Sequence, residues 1–326
     1  MLAIVQRAPG GVDTLAVGEV PLPEPGPGQL RVRVRAAGVN RADLVQREGR
    51  YPPPPGVTAI LGLEVAGEVD AAPAGSRFAV GDAVFGLVAG GGYAEYALLD
   101  EALAVEKPAA LDWATAASLP EAWMTAWLNL VEVGRLKAGE TLLVHAGASG
   151  VGAAAIQLAN LLGAHALASA GSPAKLAFCR QMGARDAFDY RALPSFAAWV
   201  RERGGADVVL DPVGASHLAD NVAALRPDGR LVLIGVMGGA RGELNLGQVL
   251  VKRLSLIGST LRSQPLEVKA DLAEALRTRV LPALLDGRLR PTLDAVFAIA
   301  DVRAAHEYMA ANRNLGKVVL SGFDPT

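Results

Sequence analysis

Cysteine is nearly missing from this sequence of 326 residues: Cys179 stands alone, which excludes an intramolecular disulfide and a cysteine-rich structural zinc lobe. Its expected role is that of a small buried hydrophobe. Histidine is sparse as well. The four present, His145, His165, His217 and His306, lie in or after the part read below as nucleotide-binding, and each reads as an ordinary strand or helix residue. Converging Cys, His and carboxylate ligands for a catalytic zinc are therefore not expected. An excess of one charge is also lacking: 31 Lys and Arg face 33 Asp and Glu, for a net charge of −2, and no basic block could neutralise a phosphate backbone. Nucleic acid is a poor candidate partner. No apolar run reaches the length of a membrane span, and the opening MLAIVQRAPGG has no basic segment leading into a long apolar one. A cytoplasmic protein without a membrane partner is expected.

What is present divides in two. The length, with 51% hydrophobic and 20% charged residues, suits two ordinary globular domains. Up to about residue 120 the chain reads as β-rich, with short runs at Leu30 to Val34, Glu64 to Val69, Ala83 to Leu87 and Tyr93 to Leu98 between Gly/Pro clusters. Pro52 to Pro55 forms a stiff extended loop beside Tyr51, suited to a pocket wall. From Glu121 the pattern changes to apolar runs alternating with amphipathic stretches, as in a parallel sheet covered by helices. The predicted strands are Thr141 to His145, His165 to Ala170, Asp186 to Tyr190, Asp207 to Leu210, Arg230 to Gly235 and Ser255 to Ser259. Beyond them, Leu266 to Leu285 and Val302 to Asn312 read as helices, Leu293 to Phe297 and Lys317 to Leu320 as strands that return to the first domain.

The strongest chemical signal is the stretch from Val144 to Gly152, because it follows an apolar strand and opens an apolar helix. Gly147 suits the tight turn, Gly152 lets the helix pack on the strand, and the free N–H groups of Gly150 and Val151 at the helix start favour a diphosphate. Ser149 stands where the dinucleotide fingerprint has its middle glycine and offers a hydroxyl to phosphate or to a nicotinamide amide. A serine nucleophile is excluded, since that elbow requires glycine where Val151 stands.

The second strand's end selects the cofactor. An NAD site places Asp or Glu there to accept from the ribose hydroxyls, whereas this chain has Ala168, Ser169, Ala170, Gly171 and Ser172. No carboxylate repels a 2′-phosphate, Ser172 can donate to one, Lys175 lies one helical turn on, and Tyr190 adds a phenolic donor. Singly, Lys175 reads equally as a solvated helix residue and Tyr190 as a strand-end aromatic; together with the missing carboxylate they predict NADPH. The Tyr-x-x-x-Lys pair of short-chain reductases is absent.

Ala37-Gly38-Val39-Asn40-Arg41-Ala42-Asp43-Leu44, Gly49 to Gly56, Leu61 to Gly67, Leu119-Pro120-Glu121-Ala122-Trp123, His145 to Gly152, Gly235 to Gly239, and His306 to Met309 with Gly316-Lys317 carry a resemblance over nearly the whole chain. The sequence resembles the zeta-crystallin-like quinone oxidoreductases of the medium-chain dehydrogenase/reductase superfamily. That likeness implies an α/β protein with a GroES-like β-rich catalytic domain, residues 1–122 and 263–326, and a six-stranded parallel Rossmann domain, residues 123–262. Zinc-dependent members carry a cysteine and a histidine ligand where this chain has Asn40 and Leu63, so the likeness implies a metal-free site. It also implies that Asn40, Asp43 and Tyr51 line the substrate pocket, and that Thr125, Ser149 to Gly152, Gly171, Ser172, Lys175, Tyr190, Met237, Gly238, Gly239 and Leu261 run along NADPH. Read without it, Asn40 and Tyr51 are turn residues and Asp43 a helix-start carboxylate. The expected activity is NADPH-dependent reduction of a small-molecule quinone by a homodimer or homotetramer. Reduction of α,β-unsaturated aldehydes and ketones, or a non-catalytic NADPH-binding role of crystallin or RNA-binding type, are the alternatives.

Overall fold

The computed structural model describes residues 1–323. The chain divides into two compact units, Met1–Met124 with the stretch from Arg262 onward, and Thr125–Leu261. The first unit begins with a hairpin of β1 (Leu2–Gln6) and β2 (Leu15–Glu19), followed by β3 (Gln29–Val39), β4 (Glu64–Ala71), β5 (Ala83–Leu87), β6 (Tyr96–Asp100) and β7 (Val105–Glu106). Alternation explains β3: Leu30, Val32, Val34 and Ala36 are buried, while Arg31 and Arg35 on the other face pair with Asp70 and Glu68 of β4. From Ala36 to Val39 every residue is buried, so the strand enters the core as it approaches Asn40.

The second unit carries β8 (Thr141–Val144), β9 (His165–Ala170), β10 (Asp186–Asp189), β11 (Ala206–Asp211), β12 (Leu225–Leu233) and β13 (Ser255–Gly258). All run parallel in the order β10-β9-β8-β11-β12-β13. This is the doubly wound order, with its reversal between β8 and β11. Leu143, Leu167, Phe188, Val209 and Leu231 from five of those strands meet Phe196 and Val200 in one core. Burial on both faces accounts for the continuous apolar runs read from the sequence.

The chain then returns to the first unit with β14 (Leu293–Ala298) and β15 (Lys317–Ser321), completing a seven-stranded sheet in the order β14-β15-β3-β4-β5-β7, with β6 paired to β3. The predicted helix from Leu266 to Leu285 is interrupted. It is α-helical over Leu266–Ala275, widens into a π-turn over Leu276–Val280 and resumes over Leu281–Leu285. Pro282 has no amide hydrogen for the i−4 carbonyl, so the regular ladder fails just ahead of it. The β1–β2 hairpin and the helices Trp113–Ala117 and Leu246–Lys252 add to the elements read from the sequence, and the helix that Asp43 starts runs over Arg41–Arg47. Among the described residues no helix is long and apolar enough to cross a membrane.

Candidate functional site

In the second unit the Gly-rich turn leaves β8 and opens the helix Gly150–Leu161. Ala146 takes φ +50°, and Gly147 donates its N–H to Ser169 O at 2.9 Å, which clips the turn to the end of β9. A Cβ on Gly147 would lie 2.8 Å from Cys179 Sγ, and one on Gly152 would lie 2.4 Å from Ala146 O, so neither position accepts a larger residue without moving backbone or core. Ser149 is the N-cap, its Oγ accepting from Gly152 N at 3.0 Å. The amides of Gly150 and Val151, in the first helical turn, have no intrahelical acceptor. This cradle fits the diphosphate of a nicotinamide dinucleotide. Cys179 is buried beneath the turn, and burial pushes its thiol up to about 12, so it is unreactive packing.

A buried polar chain braces the turn from below. His145 Nε2 lies 2.7 Å from Asn221 Oδ1, its Nδ1 lies 2.8 Å from Ser169 Oγ, and Asn221 Nδ2 donates to Asp211 Oδ2 at 2.9 Å. Because Asn221 spends its amide on Asp211, its oxygen accepts, and His145 carries its proton on Nε2. Burial, with His217 nearby, pulls His145 down to about 3, so the ring stays neutral. The other Asp211 oxygen accepts from Val213 N at 2.6 Å and Gly214 N at 3.1 Å, fixing the loop after β11.

That loop carries the later strand-end residues: Met237 N donates to Pro212 O at 3.1 Å, Gly238 N to Val213 O at 2.7 Å, and Gly239, at φ +121°, accepts from Ala215 N at 3.0 Å. Gly171 and Ser172 follow β9, and Ser172 caps the helix Pro173–Gln181 by accepting from Lys175 N at 3.4 Å, which leaves its hydroxyl hydrogen to donate. Tyr190 follows β10, its ring half-exposed and 5.7 Å from His217. Arg191 was not singled out from the sequence. Its Nη1 donates to Gly171 O at 3.0 Å and its guanidinium lies 5.5 Å from the Tyr190 ring centroid, so Gly171, Tyr190 and Arg191 form one cluster. Its signal was its place, directly after Tyr190 at a strand end. Thr125 and Leu261 are buried, and Thr125 O accepts from Asn129 Nδ2 at 2.8 Å.

In the first unit Asn40 and Asp43 begin the helix Arg41–Arg47. Asp43 is fully buried, one oxygen accepting from Gly62 N at 3.0 Å and the other from Asn40 N at 2.7 Å and Tyr93 Oη at 3.1 Å. Burial pushes its carboxyl up to about 6, against the pull of these donors and of Lys317. Asn40 Nδ2 donates to Glu64 Oε1 at 2.8 Å, and its Oδ1 accepts from Lys317 Nζ at 2.6 Å. Lys317 also pairs with Glu64 Oε1 at 2.5 Å, while Glu64 Oε2 accepts from Glu121 N at 2.8 Å. Asn40 and Asp43 are thus spent on a buried polar lattice, which a reading from sequence could not distinguish from a pocket wall. Tyr51 is different: half-buried in its loop, its ring lies 5.4 Å from the Arg262 guanidinium, and its hydroxyl has no hydrogen-bond partner among the described residues. Among those residues, no group of three or more His, Cys, Asp or Glu is placed to hold a metal.

The sequence profile described as zinc-binding dehydrogenase matches residues 150–278, and that of the alcohol dehydrogenase GroES-like domain matches residues 26–109. A quinone oxidoreductase of Homo sapiens is 30% identical over 318 residues, covering 95% of this chain and 94% of that protein. Among solved structures, an NAD-dependent alcohol dehydrogenase superposes with a TM-score of 0.88 at 33% identity, covering 98% of this chain and 99% of the other. Mycobacterial Rv1454c complexed with NADPH also gives 0.88, at 30% identity and 98% and 100% coverage. Equal likeness to both makes the residues at the end of β9 the ground for choosing a cofactor.

Proposed function

This chain belongs to the medium-chain dehydrogenase/reductase family, and from that membership we propose an NADPH-dependent quinone reductase that works without a metal. The observation that carries the reading is the end of β9, where no carboxylate stands, where Tyr190 and Arg191 crowd Gly171, and where Ser172 and Lys175 open the helix that follows. A 2′-phosphate meets a hydroxyl and two cations there, and a ribose hydroxyl finds no carboxylate acceptor. Gly147, Ser149, Gly150, Val151 and Gly152 would hold the diphosphate, and Thr125, Met237, Gly238, Gly239 and Leu261 complete the set assigned to the cofactor. When bound, NADPH supplies the hydride, which is the reaction's difficult chemistry.

The chain's own task is to bind, align and exclude water. Tyr51 donates its unpartnered hydroxyl to the quinone oxygen, where negative charge develops. Asn40 and Asp43 act behind it: their lattice with Glu64, Lys317 and Tyr93 fixes the start of the helix that leads into the Tyr51 loop. The protein is proposed to be cytoplasmic and to assemble as a homodimer or homotetramer, with no nucleic-acid partner.

The deciding experiment follows the loss of NADPH absorbance with an ortho-quinone, run beside NADH and beside an α,β-unsaturated ketone in metal-free buffer. NADPH-selective turnover of the quinone is expected. Turnover of the enone alone would reassign the protein to alkene reduction, and NADPH binding without turnover would make it a binding protein.

A further inference from the structure

We propose that Arg262 holds the negative charge that the acceptor acquires, as the cationic partner of Tyr51 at the acceptor oxygen; this rests on the quinone-reductase reading above. In the hydride step the nucleotide is oxidised and the quinone reduced. One O–H bond forms from the hydride, the electron pair of the second carbonyl π bond moves onto its oxygen, and water later protonates the resulting hydroquinone monoanion. Until then a negative charge sits where a neutral carbonyl oxygen was bound, and a cation beside it stabilises the charged state far more than the neutral one.

Geometry and hydrogen bonding single out this residue. Arg262 belongs to the first unit and opens the part of the chain that returns to it. Its guanidinium is clamped: Nε and Nη2 both donate to Ala89 O, at 3.2 and 2.8 Å, and Nη1 donates to Gln46 Oε1 at 2.8 Å. Gln46 is buried in the helix Arg41–Arg47 and spends its Nε2 on Ala59 O at 3.2 Å, so its oxygen is the end that faces Arg262. The clamp ties the loop after β5, that helix and, through Gln46, the loop that carries Tyr51, and it sets the guanidinium 5.4 Å from the Tyr51 ring centroid. All of these bonds go to neutral oxygens, and two of the guanidinium's N–H groups, one on each Nη, remain without an acceptor among the described residues. Arg31, Arg35, Arg47 and Arg50 of the same unit each pair with a carboxylate, whereas Arg262 has none within ion-pair distance among those residues. The titratable groups facing it are Tyr51, Asp43 and Glu121, and Asp43 is spent on two backbone amides and the Tyr93 hydroxyl. A half-buried guanidinium keeps its charge at any working pH, so a cation without a bonded counter-charge stands beside a phenol whose hydroxyl is unpartnered. An oxyanion at the Tyr51 hydroxyl supplies that charge and an acceptor for the spare N–H groups.

The test pairs a readout that needs no turnover with one that does. The probe is para-nitrophenol, whose phenolate has the size and charge of the reduced ring and a colour that the neutral phenol lacks; it is titrated across pH against the whole protein in the presence of NADP+. Bound to the wild type, its ionisation should move toward acid by about one pH unit, because the phenolate binds about tenfold more tightly than the phenol. Arg262→Gln should abolish that shift, and Arg262→Lys, which keeps the charge but not the planar clamp, should retain part of it. With the quinone, Arg262→Gln should lower kcat by about 10- to 100-fold with little change in KM, since the quinone is neutral before the hydride arrives, and Arg262→Lys should restore part of the rate. A wild type that binds the phenolate no better than the phenol overturns the proposal, and so do equal shifts in wild type and Arg262→Gln. An Arg262→Lys variant as slow and as unshifted as Arg262→Gln also overturns it, and would make Arg262 a strut for the Tyr51 loop. A wild type that shifts the probe but reduces no quinone refutes the functional reading and the role in reduction, and leaves only an anion site.

Discussion

A 2′-phosphate brings a charge of about −1.5 to −2 to the end of β9, and the residues there differ in how they can answer it. Lys175 contributes a flexible ammonium one turn into its helix, whereas Arg191 presents a planar guanidinium already tied to Gly171 O and laid against Tyr190. Charged hydrogen bonds are worth about 1.5–3 kcal/mol, so Lys175→Ala and Arg191→Ala should each weaken NADPH binding by about 10- to 100-fold. NADH, which lacks the phosphate, should bind each variant as it binds the wild type; fluorescence titration of both nucleotides at two salt concentrations checks this. Equal losses for the two nucleotides would mean that the side chains support the adenosine or the fold instead. At Tyr51 the hydroxyl alone is in question. Tyr51→Phe should lower kcat/KM for the quinone by about tenfold, the value of one hydrogen bond, with the NADPH dissociation constant unchanged. Unaltered turnover and quinone affinity would show that the hydroxyl contributes nothing.

At the scale of elements, β13 is an edge strand: it pairs with β12 on one side and with no strand among the described residues on the other. Just before it, the helix Leu246–Lys252 exposes Leu246 by 70%, Leu250 by 78% and Val251 by 76%. An open edge beside an apolar helix face suits pairing across a two-fold axis. Leu250→Glu with Val251→Lys should therefore shift the sedimentation coefficient of a dimeric or tetrameric wild type toward that of the monomer; a monomeric wild type at low concentration would end the idea. The same helix shows where sequence reading stops, because its apolar residues do not face the core and so give no burial periodicity. The strand, turn and helix from Thr141 to Leu161 were legible, since a buried parallel strand, a glycine turn and an alanine-rich helix each leave a local pattern. The bracing of His145 was not, since Asn221 lies 76 residues away and no spacing rule links the two. Asp43 was legible as a helix-start carboxylate but not as a fully buried one, because its enclosure comes from Gly62 and Tyr93 on other segments.

For the whole molecule, three buried groups and the partly buried Glu121 give stability a pH dependence whose sign can be worked out. His145 and His306 are lowered from 6.5 to about 3, both chiefly by burial, with His217 and Arg47 adding to it. The unfolded chain takes up their protons first, so the stability they confer is complete above pH 6.5 and is lost progressively as pH falls toward 3. Asp43 and Glu121 act in the opposite sense, raised by burial from 3.8 to about 6 and from 4.5 to about 8. Their contribution is complete in acid and is lost as pH rises through the folded values. Between pH 4.5 and 6 the two histidines and two carboxyls nearly cancel; below that range the histidines dominate, and above 6.5 only Glu121 still titrates. Each uncompensated proton is worth about 1.4 kcal/mol per pH unit, so these four groups place the maximum near pH 6.5, with a loss of about 2 kcal/mol by pH 8. Thermal unfolding should follow that profile, with Tm several degrees lower at pH 8 than at 6.5. Glu121→Gln removes the one group responsible for the alkaline limb, and its Tm should stay level over that interval. Parallel declines in wild type and variant would assign the limb to other groups and would mean that Glu121 is already ionised at neutral pH.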